Sequence, residues 1–184
     1  MVCWNSDERY LLDLAGRGVA VVPTRFLEPD GPCGEEDFRA ADALRHARML
    51  LDQGRSVMVQ PYQRLVEEGE RALVFVAGTF SHAIRKGPVL TQPGVIDNDR
   101  VPHPDVTPYR PTEEEIATAL AALAAVPSSG SPLFARVDLA FDDARKPVVM
   151  ELELIEPNLF LGHHPQALGR SVEATAAEAR RAAS

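Results

Sequence analysis

The chain has 184 residues, 45% of them hydrophobic and 25% charged, an ordinary globular composition for one domain or two small lobes sharing a core. Its 19 basic and 27 acidic residues give a formal net charge of -8, which argues against a nucleic-acid backbone as the main partner. No apolar run approaches the roughly 20 residues that span a bilayer, so no membrane partner is expected. The two cysteines, Cys3 and Cys33, make neither a metal motif nor a disulfide framework, which fits a reducing, cytoplasmic compartment. The N-terminal "MVCWNSDERY" lacks the charged start and hydrophobic core of a secretion signal.

Ser6 before "DERYLLDLAGRG" predicts a capped helix with acidic residues in its first turn. "VAVVP", 19–23, reads as a short buried strand, and the Pro/Gly-rich 24–37 as loop. "DFRAADALRHARMLLDQG" carries apolar residues at 38, 41, 44, 47 and 50–51, a helical stripe with Gly54 as C-cap. "SVMVQPY", 56–62, is a strand ending at a proline, and "RALVFVAGTFSHAIRK" predicts a hairpin of 71–77 and 80–86 around Gly78. Residues 87–111 are proline-rich and read as a long irregular excursion of the kind that carries function. Thr112 with Glu115 makes a capping box that opens the helix "TEEEIATALAALAAV". Residues 135–161 give two strands around "DDARK", and "PQALGRSVEATAAEARRAA" closes the chain as a helix. The order implies an α+β fold of antiparallel strand pairs with helices packed on them.

Four carboxylates, Asp138, Glu151, Glu153 and Glu156, interrupt the apolar runs of that last hairpin. Buried carboxylates are costly unless paired or holding a metal. Glu151 and Glu153 are two residues apart and point the same way on a strand, and a return around the turn brings Asp138 to the same face. Three hard oxygen ligands suit magnesium. A hairpin with one wet face of ordinary solvated charges fits the same pattern. His163 and His164 form a pair without a third zinc ligand at a recognisable spacing.

"ARVDL…VVMELEL" resembles the metal-binding end of the ATP-grasp carboxylate–amine ligases, the family of glutathione synthetase and D-alanine–D-alanine ligase. "VMVQPY" resembles their inter-lobe strand, and "FSHAIRKGP" and "MELELIEPNLFLG" resemble stand-alone bacterial members. The resemblance implies an ATP-grasp-type fold, ATP and Mg2+ as cofactors, and ligation of small-molecule carboxylate and amine substrates through an acyl-phosphate, on an amino-acid-like substrate. It implies Asp138, Glu151 and Glu153 as metal ligands and Arg136 near the phosphates. It places Gln60, Pro61 and Tyr62 along the adenine, and Glu70 with Arg71 at the ribose or substrate. Arg85, with Lys86, would face the phosphates. Glu156 and Asn158 either orient ligands or shape the turn into the last helix.

The family pattern is incomplete here. Its preceding α/β domain is not visible before Trp4, and where a Val-x-Lys-Pro strand and a small-residue loop belong, the chain has only "GPCGEED". The only lysines are Lys86 and Lys146. A truncated and internally deleted member is therefore expected, with 1–55 as the remnant of the front domain and small lobe and 56–184 as the large lobe. An alternative is a degenerate domain that binds nucleotide or a partner without catalysis. The sequence leaves self-association into a homo-oligomer open.

Overall fold

The computed structural model describes residues 2–35, 38, 41–88, 105–127 and 130–183. The chain forms two compact units, Met1–Val21 with Gln63–Ser184, and Val22–Tyr62. The larger unit opens with two helices, α1 (Val2–Asn5) and α2 (Tyr10–Gly16), in place of the single Ser6-capped helix expected. Asp7 accounts for the break. Its carboxylate accepts from the Arg9 backbone at 2.9 Å and its carbonyl from Tyr10 at 3.1 Å, a local turn that competes with the helix. Ser6 instead donates to the Cys3 carbonyl. The strand expected at 19–23 shrinks to one bridge, Val21 beside Val149.

The smaller unit contains β1 (Arg25–Leu27), α3 (Ala41–Asp52) and β2 (Val57–Val59), with β1 and β2 antiparallel. β1 lies inside the stretch expected to be loop; three residues flanked by prolines and glycines show no periodicity to read. In α3 the buried residues are Leu44, Ala47 and Leu51, the expected stripe, and Gly54 ends it at φ +75°, its N–H bonded to the Leu51 carbonyl at 2.8 Å. Residues 37, 39 and 40 of the expected helix lie outside the described ones.

Back in the larger unit, β3 (Glu70–Val76) and β4 (Thr79–Lys86) form the expected hairpin. Ala77 and Gly78, at φ +48° and +78°, supply the paired left-handed conformation of a two-residue turn. A Cβ at Gly78 would also approach Ser131 Oγ to 2.6 Å, so the turn is held to glycine twice over. Then follow β5 (Val106–Tyr109), α4 (Glu113–Ala124), β6 (Phe134–Phe141), β7 (Pro147–Glu153) and α5 (Pro165–Ala182). β5 corrects the reading of 87–111 as wholly irregular; as an edge strand it tolerates Pro108. Residues 89–104 of that stretch lie outside the described ones.

The sheet order is β5-β4-β3-β6-β7, all antiparallel. One face, with Leu73, Phe75, Val137, Leu139 and Leu152, packs into a core with Tyr10, Leu11 and Leu14 of α2 and Ala119 and Ala122 of α4. The capping box of α4 is formed: Thr112 Oγ1 accepts from Glu115 N–H at 3.2 Å, and the Glu115 carboxylate accepts from Thr112 N–H at 2.7 Å. Among the described residues no helix is long and apolar enough to cross a membrane.

Candidate active site

The opposite face of the sheet gathers the charges. β7 meets β6 with one residue too many: Val149 stands across from Leu139, but Glu151, not Met150, stands across from Asp138. Without that bulge, alternation from buried Val149 would put Met150 opposite Asp138 and turn Glu151 into the core. The extra residue reverses the facing of everything after it. Glu151 and Glu153 come to the Asp138 side, while Leu152 and Leu154 go to the core.

Asp138 is only 1% exposed, and its carboxylate is paired on both oxygens, by Lys86 Nζ and by Arg136 Nε at 2.9 Å. Arg136 reaches all three acids, with Nη2 3.1 Å from Glu151 and Nη1 paired to Glu153. Lys86 also lies 3.5 Å from Glu70, its cross-strand neighbour. Among the described residues, two cations therefore serve four carboxylates, which leaves two negative charges in excess when all four are ionised. All the acidic donors are hard carboxylate oxygens, which fit a magnesium-like ion in chemistry. Among the described residues no three acidic, histidine or cysteine groups make a ready metal seat. The acids converge on the Arg136 guanidinium instead.

The excess charge shows in Glu151. Burial first, then Asp138 beside it, pushes its carboxyl up to about 7 although Arg136 and Lys86 oppose the shift. The folded value lies above the ordinary 4.5, so the stability this group contributes is complete below pH 4.5 and is lost as pH rises through about 7. Glu151→Gln, which cannot ionise, is expected to match the parent chain at pH 4 and to melt at higher temperature at pH 8. A melting series across that range checks it; a variant no more stable at pH 8 contradicts the crowding of charge.

Not every residue expected at the site reaches it. Arg71 and Arg85 stand opposite each other across β3 and β4, and Arg71 shares its face with Leu139. Arg71 is buried with its guanidinium 4.3 Å from the Phe141 ring, and exposed Arg85 reaches the Glu68 carbonyl at 3.5 Å. Strand alternation divides each of the two expected pairs: of Arg85 and Lys86, expected at the phosphates, only Lys86 lies on the acidic face, and of Glu70 and Arg71, expected at the ribose or substrate, only Glu70 does. Gln60, Pro61 and Tyr62 belong to the smaller unit, where Gln60 donates to Thr24 Oγ1 at 3.0 Å and Tyr62 is 52% exposed.

Phe160, at φ +50°, lies 5.9 Å from the Arg136 guanidinium, and its N–H donates to Asn158 Oδ1 at 2.9 Å. Asn158 thus shapes the turn after β7. Buried His82 meets the Leu159 carbonyl through Nε2 at 2.8 Å, so this loop is tied back to β4. Burial first, with His164 and Arg170 nearby, lowers the His82 pKa and keeps the ring neutral. Sequence reasoning missed Phe160 and His82 as site supports because both connections are long-range.

No protein-family model matches the chain. The cycloserine biosynthesis protein DcsG of Streptomyces lavendulae is 35% identical over 198 aligned positions, covering 88% of this chain and 65% of the relative. The chain thus spans about two thirds of the length of that curated relative. A crystal structure of D-cycloserine synthetase DcsG aligns with TM-score 0.81 at 32% identity, over 96% of this chain and 71% of that one. The D-alanine–D-alanine ligase of Bacillus anthracis, solved with ATP, aligns with TM-score 0.63 at 13% identity over 98% and 68%, a likeness of fold.

Proposed function

The chain belongs to the ATP-grasp family of ligases, and we propose that it binds Mg·ATP on the acidic sheet face and joins a carboxylate to an amine on a small amino-acid-like substrate. The observation that carries this reading is the charge imbalance. Among the described residues, four carboxylates against two cations leave a deficit that one divalent ion neutralises. Asp138, Glu151 and Glu153 would hold the ion, which when bound supplies charge neutralisation at the phosphates.

Arg136 is the residue whose partners change. With Glu151 and Glu153 engaged elsewhere, its guanidinium is freed to donate to phosphate oxygens, while Lys86 keeps Asp138 ionised. Glu70 tethers Lys86 from the other side. Gln60, Pro61 and Tyr62 would lie along the adenine. The γ-phosphoryl group passes to the substrate carboxylate, releasing ADP; an amine then attacks the acyl-phosphate carbon and phosphate leaves. Positioning and electrostatic stabilisation carry such a transfer. The names of the DcsG relatives favour an amino-acid-like substrate.

A second reading, nucleotide or partner binding without turnover, is favoured by one observation. The smaller unit, Val22–Tyr62, contains no lysine. ADP release with a pool of amino acids and simple amines separates the two. Magnesium-dependent ADP release that needs an acceptor and is lost in Glu151→Gln supports ligation. Magnesium-dependent ATP binding with no turnover on any acceptor leaves the second reading standing.

A further inference from the structure

We propose that Asn5 and Tyr10 are positioning residues: from the open edge of β7 they lock the bulge at Met150 that turns Glu151 and Glu153 onto the Asp138 face. The proposal rests on the cation reading of that face. Among the described residues β7 is the last strand of its sheet, so its outer backbone groups have no neighbouring strand there to pair with. The N-terminal segment replaces that strand with single groups. The Val149 N–H donates to the Ala20 carbonyl at 2.9 Å, just before the bulge. Just after it, the Leu152 N–H donates to the Tyr10 hydroxyl at 2.9 Å. The Asn5 carboxamide then works as an amide unit of a missing strand. Its Nδ2 donates to the Leu152 carbonyl at 2.7 Å and its Oδ1 accepts from the Leu154 N–H at 2.8 Å.

These contacts bracket the one extra residue, and two of them fall on Leu152, between the two glutamates. A bulge is a local choice of register, and slipping it past Glu151 would return that side chain to the apolar side. Tyr10 is 2% exposed and sits in the core, so its hydroxyl is a fixed point for the Leu152 amide. Neither residue touches the acidic cluster; both act through the β7 backbone.

The test compares Asn5→Ala, Tyr10→Phe and the double variant with the parent chain, by amide hydrogen exchange at Leu152 and Leu154 and by Mn2+ titration followed by electron paramagnetic resonance. Thr112→Ala, which removes the cap of α4 on the other face, is the control for lost stability alone. The double variant should exchange both amides faster and bind Mn2+ about 10–100-fold more weakly, the range for supports behind a metal ligand. The control should bind like the parent. Faster exchange with unchanged Mn2+ affinity would reduce Asn5 and Tyr10 to edge caps and overturn the proposal. A parent chain that takes up no Mn2+ would overturn it together with the cation reading.

Discussion

Asp138→Asn is expected to destabilise the chain by about 3–5 kcal/mol, the range for removing one partner of a buried ion pair. The reason is what it leaves behind. Lys86 and Arg136, 3% and 7% exposed, lose the one fully buried anion that both contact. An asparagine oxygen can accept one of their hydrogen bonds but cannot balance either charge. Burial alone would push the Asp138 carboxyl up, yet Lys86 and Arg136 together hold it below the ordinary 3.8. A depressed value means that its stabilisation is present above pH 3.8 and is lost as pH falls through the folded value. Urea unfolding at pH 7 and at pH 3 should therefore show a large deficit for the variant at the first and a shrinking one at the second. Equal midpoints for variant and parent at pH 7 would show that Asp138 does not anchor the cluster.

Arg136→Met should cost a similar amount, about 3–5 kcal/mol without divalent ions, for the opposite reason. Among the described residues it removes the one group that binds Asp138, Glu151 and Glu153 together and leaves Lys86 alone against four carboxylates. The excess negative charge grows by one, so a divalent ion gains more by binding. Magnesium should raise the melting temperature of the variant more than that of the parent and recover part of the loss. A magnesium response no larger than the parent's would mean that Arg136 does not occupy the seat the cation would take.

The elements with local signals were legible in the sequence. The capping box at Thr112 and Glu115, the tight turn at Ala77 and Gly78, and the stripe of α3 each depend on residues a few positions apart, and each is formed. Ser6 misled because Asp7, one residue on, turns the chain first. The acidic face is the more instructive case. The spacing of Glu151 and Glu153 shows that they point together, but not toward which face. That choice is made at Met150, an unremarkable methionine, and held by Asn5 and Tyr10, 147 and 142 residues away from Leu152. Nothing local could have revealed it. Arg85 and Lys86 teach the reverse lesson. Strand alternation was enough to split the pair, but the Glu70–Lys86 register depends on a second irregularity, between Val74 and Phe75, without which the two-residue turn would pair Glu70 with Arg85.

The central claim is that the acidic face of β6 and β7 takes a divalent ion with ATP. Thermal melting of the parent chain with ATP, with and without magnesium, beside Glu151→Gln and Glu153→Gln, tests it most directly. The account predicts a rise in melting temperature with ATP that requires magnesium in the parent and is lost or strongly reduced in both variants. A rise of equal size in all three chains, or one that does not require magnesium, would contradict it.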